Sequence, residues 1–269
     1  MASKNFAVLG DPINHSLSPK IHSAAYQQLG LDYSYEAIQV PANTLAEFIA
    51  QRGHAFDGFS VTMPLKFEAA EQSSDQTKLW GTGVANTLIR HGSHWDSNNT
   101  DIAGIDFALR QCFETNPDSA AILGAGATAR SALVALRNSA VSRVTVYARD
   151  TAKAAALANL LGDSDLILEI KHLAQYSTQQ DLTINTLPAG VIESVEMKEL
   201  QDGWLLSANY SSEHHSFTDL FPRAQVVSGV EMLLGQAIEQ VKLFVAEDLT
   251  LDSVQTREVL DAMRAALQQ

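Results

Sequence analysis

Cysteine, basic charge and long apolar runs are all scarce in this chain. Cys112 is the single cysteine in 269 residues, which excludes an internal disulfide framework and fits a reducing cytosol. Eighteen lysines and arginines stand against 31 acidic residues, a net charge of −13. That balance argues against a nucleic-acid surface, which needs a basic stripe, and it obliges any anionic ligand to be held by local donors. No apolar run approaches membrane-spanning length, and the few apolar residues before Gly10 are too short for a signal peptide. A soluble, cytoplasmic protein with no membrane partner is the expectation. The eight histidines show no recognised metal spacing, so no metal site is expected and they are read as surface or loop residues.

What remains is an ordinary globular composition with neither repeat nor low-complexity tract, long enough for one large or two modest domains. Strand-like segments at Phe6–Leu9, Tyr33–Val40, Phe56–Thr62 and Ala85–Arg90 alternate with helical ones. The helices are expected from Ser18-Pro19, over Thr44–Gln51, from Pro64 to about Gln72, and after a polar turn at Ser97–Asp101 to about Phe113. Such β–α alternation predicts a parallel-type sheet. Asn116-Pro117-Asp118 reads as a linker. Beyond it, strands are expected near 120–123, 143–147, 165–168, 182–185, 204–207 and 225–227, then helices over Met232–Glu247 and Val254–Leu267. The predicted fold is α/β, in three segments. Residues 1–103 form an α/β substrate domain, 104–235 a Rossmann-type dinucleotide domain, and 236–269 are C-terminal helices returning to the first domain. A cleft between the two domains is expected.

The sharpest motif is Gly124-Ala125-Gly126-Ala127-Thr128-Ala129, set between the apolar run Ala120–Leu123 and an Ala-rich helical sequence. This is G-x-G-x-x-A in the context that dinucleotide binding requires. Gly124 lets the strand turn sharply, Gly126 admits a pyrophosphate to the backbone, and Ala129 keeps helix and strand close. The helix N-terminus then offers free N–H groups to the phosphates. About twenty residues on, the strand Arg143–Tyr147 ends at Ala148-Arg149-Asp150, with Lys153 a helical turn later. An acidic residue at that tip favours NAD, whereas an arginine receives the 2′-phosphate of NADP. Arg149 comes first, so NADP is expected; Asp150 is the feature that favours NAD.

In the first half, polar groups collect at strand ends and loops, where α/β folds place ligands. Thr62 and Lys66 lie at a strand-to-helix junction, Asn86 and Thr87 by another strand, and Asn99-Thr100-Asp101 before a helix. A lysine flanked by a carboxylate and amides is a reasonable acid–base site. Ser18, followed by Pro19, reads as an N-cap, with Ser16 turned to the cleft.

Together these segments resemble the shikimate dehydrogenase (shikimate/quinate dehydrogenase) family, in order and over most of the chain. Gly10-Asp-Pro-Ile-Asn-His-Ser16-Leu-Ser18-Pro19 looks like its opening, whose two serines hold the substrate carboxylate. Val61-Thr62-Met-Pro-Leu-Lys66 resembles its V-T-x-P-x-K segment, with the catalytic lysine and a ring-contacting threonine. Val84-Ala-Asn86-Thr87 and Asn99-Thr-Asp101 resemble the segments that bind the ring hydroxyls. Asn185-Thr186-Leu-Pro-Ala-Gly190 is similar to a turn bordering the cofactor. Gly229-Val-Glu-Met232-Leu-Leu-Gly-Gln236 resembles the closing G-x-x-M-L-x-x-Q, with Gly229 and Met232 near the nicotinamide and Gln236 reaching the substrate.

The resemblance implies NADPH-dependent reduction of 3-dehydroshikimate to shikimate, a step of chorismate and aromatic amino acid biosynthesis; a monomer or homodimer is the expectation, which the sequence does not narrow. Lys66 and Asp101 would share the hydroxyl proton as a coupled pair. One segment departs: the family's D-x-x-Y-x-P is here Ser207-Ala-Asn-Tyr210-Ser-Ser212, which keeps only Tyr210, a substrate-site residue by the same resemblance. Ser60, where the family often has Asn, is a milder change. The alternatives are an NAD-dependent quinate/shikimate dehydrogenase, a dinucleotide-binding relative with little turnover, and a redox-sensing module.

Overall fold

The computed structural model describes residues 3–111, 113, 117–139, 141–176, 180–188, 191, 203–208 and 225–268. In chain order the first elements are β1 (Lys4–Gly10), α1 (Ser18–Gln28), β2 (Tyr33–Gln39), α2 (Leu45–Arg52), β3 (Gly58–Val61), α3 (Lys66–Ala70), β4 (Thr87–His91) and β5 (His94–Asn98). Then come α4 (Asp101–Arg110), β6 (Ser119–Leu123), α5 (Ala127–Asn138), β7 (Arg143–Ala148), α6 (Thr151–Ala154) and β8 (Ile167–His172). The chain continues with β9 (Leu182–Asn185), β10 (Trp204–Ser207), β11 (Gln225–Val227), α7 (Gly229–Val245) and α8 (Ser253–Leu267). Two compact units result: Met1–Thr100 with Gln236–Gln269, and Asp101–Gly235.

The first unit is built on a sheet of order β2-β1-β3-β4-β5. β1 pairs parallel with β2 and β3, but β3–β4 and β4–β5 are antiparallel. The sheet is therefore mixed, not parallel as the alternation suggests. The cause is a hairpin: His91 pairs with His94 across the two-residue loop Gly92-Ser93, and Gly92 takes φ +63, which tight hairpin turns favour. Its second arm lies at the sheet edge and is exposed to half-buried only over His94–Asp96; Ser97 and Asn98, expected in a turn, close the strand as buried residues, with Ser97 Oγ donating to the Ala69 carbonyl at 2.7 Å. Pro64 likewise precedes a short helix, Lys66–Ala70, and does not open a long one.

On one face of this sheet, Phe59 packs against Phe56 and stacks on Trp95, with Leu9, Leu65 and Leu88 completing the core. On the other, Phe6 stacks on Phe244 at 4.5 Å, and α1 packs along α8. A fully buried phenylalanine contributes about 1.5–3 kcal/mol, so the returning helices are part of this unit's core. Asp252 starts α8 with a capping box, accepting from the N–H groups of Val254 and Gln255. Among the described residues one histidine departs from the surface reading: His22 is fully buried and stacked on Tyr35 at 4.2 Å. It shares the inward stripe of α1 with Ile21, Ala25 and Tyr26, and burial pushes its imidazole down to about 3, so it is neutral.

The second unit carries a parallel sheet of order β11-β10-β9-β6-β7-β8. This is the doubly wound order, with its reversal between β6 and β9. α4 packs on α5, and Gly235 makes room for the side chain of Phe107, which a Cβ there would meet at 2.6 Å. Asn116-Pro117-Asp118, expected as a linker, falls inside this unit, with Asn116 outside the described residues.

Candidate active site

In the first unit the antiparallel hairpin brings residues far apart in sequence to one end of the sheet. The start of β4 lies beside the ends of β3 and β5, since Thr87 pairs with both Ser60 and Asn98. Backbone bonds stitch this end together. Thr62 N–H donates to Leu9 at 2.9 Å, Val61 N–H to Asn86 at 2.7 Å, and Ala85 N–H to the carbonyl of Lys66 at 2.8 Å. Gly10 is needed here, because a Cβ would meet Thr62 Cγ2 at 2.5 Å and the Met63 carbonyl at 2.9 Å.

Lys66 thus begins α3, half-buried, between the buried Leu65 and a strand end. Asn86 is buried, and its Oδ1 accepts the N–H of Thr100 at 2.8 Å while its Nδ2 donates to Thr100 Oγ1 at 2.8 Å. The same Nδ2 reaches Gln236 Oε1 at 3.3 Å. Asn99 is held by Thr82 at 3.1 Å. Asp101, buried, follows directly on Thr100 as the first residue of α4.

Ser16 and Ser18 precede and open α1, but the expected N-cap is corrected. Leu17 occupies the cap position without a side-chain bond, and Ser18 is already helical and buried. The oxygen that accepts the Ser18 N–H, at 3.3 Å, is Ser16 Oγ. Proline at the second helical position sets this register, since its missing N–H costs nothing there. Ser18→Ala is therefore expected to leave stability within about 0.5 kcal/mol of the parent. Ser16→Ala is expected to cost about 0.5–1.5 kcal/mol. Denaturant midpoints check both, and a Ser18→Ala loss above ~1 kcal/mol would restore the capping role.

The second unit holds the nucleotide-type cluster at the reversal of strand order. Gly124 leaves β6 at φ +106, and a Cβ there would lie 2.6 Å from Thr186 Oγ1. Thr186 itself donates through Oγ1 to the Leu123 carbonyl at 2.7 Å. Ala125, Ala127 and Thr128 are half-buried, and Ala129 is buried in the core, seating α5 on the sheet. Gly126 differs from Gly124: it is exposed, a Cβ would meet nothing within 4 Å, and it heads α5 without a side-chain cap. Nothing in the packing of the described residues requires glycine there. An uncapped twelve-residue helix behind an open backbone fits a pyrophosphate.

At the tip of β7, Ala148 is buried while Arg149, Asp150 and Lys153 are exposed. Asp150 is occupied: its carboxylate caps α6, accepting the Lys153 N–H at 2.9 Å. Among the described residues, the Arg149 side chain has no hydrogen-bond or ion-pair partner. Gly229 opens α7, and Met232 is 6% exposed within the second unit's hydrophobic core. Ser207 ends β10, buried, whereas Tyr210 lies outside the described residues. Among the described residues no group of three His, Cys, Asp or Glu side chains is placed to hold a metal. No described helix is long and apolar enough to cross a membrane. Sequence reasoning missed Gln240, 1% exposed on α7; its helical spacing from Gln236 is the only signal that singles it out.

Two family models match the chain. One is described as the shikimate dehydrogenase substrate binding domain and covers residues 8–88; the other, shikimate / quinate 5-dehydrogenase, covers 106–202. The shikimate dehydrogenase (NADP(+)) of Ignicoccus hospitalis is 32% identical over 272 residues, covering 97% of this chain and 99% of that one. The Mycobacterium tuberculosis shikimate dehydrogenase structure matches at 32% identity and TM-score 0.79, covering 98% and 99%. The shikimate 5-dehydrogenase of Thermus thermophilus, solved with NADP(H) and shikimate, matches at 27% identity and TM-score 0.73, covering 98% and 99%. With both family models in place and a 32% identical relative spanning nearly all of it, the chain belongs to the shikimate dehydrogenase family.

Proposed function

We propose that this protein is an NADP-dependent shikimate dehydrogenase, acting as a monomer or homodimer on the small-molecule pair 3-dehydroshikimate and shikimate. The observation that carries the reading is the convergence of Thr62, Lys66, Asn86, Thr100 and Gln236 at one end of the first sheet. These are the groups a polyhydroxylated ring acid needs: amides and hydroxyls for the ring oxygens and a lysine for the proton. Ser16 and Ser18 supply hydroxyl donors for the carboxylate, which matters in a chain of net charge −13.

The dinucleotide, when bound, supplies the hydride acceptor or donor for the ring carbon. Gly124 to Ala129 would hold its pyrophosphate, Arg149 and Lys153 its 2′-phosphate, and Thr186, Gly229 and Met232 would border the nicotinamide half. Lys66 and Asp101 exchange the proton of the substrate hydroxyl as one coupled unit, and Tyr210 joins the substrate residues. Asp150 supports NAD less than its position in the sequence implies, because its carboxylate is already committed to the α6 N-terminus.

Initial rates with shikimate and quinate against NADP and NAD test the reading. Shikimate with NADP is expected to give the highest kcat/KM. Arg149→Ala is expected to raise the KM for NADP about ten-fold or more, since a charge-assisted contact contributes ~1.5–3 kcal/mol. The KM for NAD should move little. Preference of the parent for NAD, or equal losses with both cofactors, would overturn the cofactor assignment; turnover of quinate above shikimate would overturn the substrate.

A further inference from the structure

Beneath the proposed substrate residues runs a buried polar chain that the assignments above leave unexplained. Gln240 stands one helical turn after Gln236, on the same face of α7. Its Nε2 donates to the Asn86 backbone carbonyl and to Thr87 Oγ1, both at 3.0 Å. Its Oε1 accepts from Ser60 Oγ at 2.8 Å and stands 3.2 Å from His22 Nε2. A backbone carbonyl only accepts, so the amide can take one orientation, and neutral His22 must carry its proton on Nε2. Tyr35 extends the chain by donating to Ser60 Oγ at 2.6 Å.

The polarity passes onward without ambiguity. Thr87 Oγ1 accepts from Gln240, so its own proton points to Asn86 Oδ1, at 3.0 Å. The Thr100 N–H donates to that same oxygen, which leaves Asn86 Nδ2 as the donor toward Thr100 Oγ1 and Gln236 Oε1. Packing alone does not call for any of this, because an apolar side chain of similar volume would fill the site without the cost of burying an amide. The geometry points to Gln240 as a positioning residue that locks the amides of Asn86 and Gln236 into the single orientation used for substrate binding. This rests on the reading of Asn86 as a substrate contact.

The test is Gln240→Met, which keeps volume and removes every bond, measured beside Asn86→Ala and the double mutant. KM values for shikimate and NADP are determined separately for each. Gln240→Met is expected to raise the shikimate KM about ten-fold, to leave the NADP KM within two-fold, and to add nothing on an Asn86→Ala background. If Gln240→Met does not fold, Thr87→Val removes the same relay hydroxyl nearly isosterically and should show the same split. Full multiplication with Asn86→Ala, equal shifts in both KM values, or an unchanged shikimate KM beside an impaired Asn86→Ala enzyme would overturn the positioning role. An Asn86→Ala enzyme with a normal shikimate KM would instead overturn the substrate contact on which the proposal stands.

Discussion

Lys66→Ala is expected to lower the turnover number by ~10²–10⁴-fold, the usual contribution of a positioned proton-transfer group. NADP affinity and the fold should stay nearly intact. The backbone of Lys66 is fixed from two sides, by the buried Leu65 before it and by the Ala85 N–H on its carbonyl at 2.8 Å. Removing the side chain therefore takes away an ammonium and leaves its platform. Asp101→Asn is also expected to cut turnover, and the double mutant should fall little below the worse single one, since groups acting as a unit are non-additive. Steady-state kcat with circular dichroism as the fold control decides the matter. Near-normal turnover with only a raised shikimate KM would reduce Lys66 to a binding residue. Losses that multiply fully would separate the pair.

Gly126→Asp is expected to do two opposite things. As the residue heading α5, extended at φ −82 and ψ −164 and without a side-chain cap, it can accept an aspartate that caps the helix. Stability should rise by a few tenths of a kcal/mol. The same carboxylate would stand where the pyrophosphate is proposed to bind. Like charges about 4 Å apart repel by up to ~4 kcal/mol near a protein surface, so NADP affinity should fall of order 10²–10³-fold. Thermal midpoint and nucleotide titration read the two effects separately. Affinity within three-fold of the parent would remove the pyrophosphate from this loop. The nearby Gly124 draws the contrast: it is demanded by φ +106 and by Thr186, hence by the fold itself, while nothing among the described residues demands Gly126.

The second unit was the more legible of the two. Its strands are short apolar runs separated by helices, and the strands at 182–185, 204–207 and 225–227 fall where their hydrophobicity places them. Residues 165–168 were less well bounded, since β8 is a half-exposed edge that runs to His172. In the first unit the hairpin hid behind polar residues, and the helix start at Ser18 hid behind an ordinary capping pattern. His22 and Gln240 were invisible for a different reason. Their partnership spans 218 positions, and neither residue type announces burial. Periodicity reports which face of an element is apolar, but it carries no record of which distant amide closes a buried polar chain.

The first unit is not contiguous along the chain. Its sheet is complete by Asn98, yet Phe244, Gln240 and the rest of the helices covering one face arrive only after residue 235. At roughly 5–20 residues per second, ribosomal synthesis would leave that face uncovered for on the order of ten seconds. During that interval Phe6, His22 and Ser60 meet water in place of Phe244 and Gln240. The intervening second unit, Asp101–Gly235, can meanwhile fold as a local insertion. The nascent chain is thus most exposed to aggregation and to holding chaperones after its first hundred residues have emerged. That vulnerability ends when the last two helices dock.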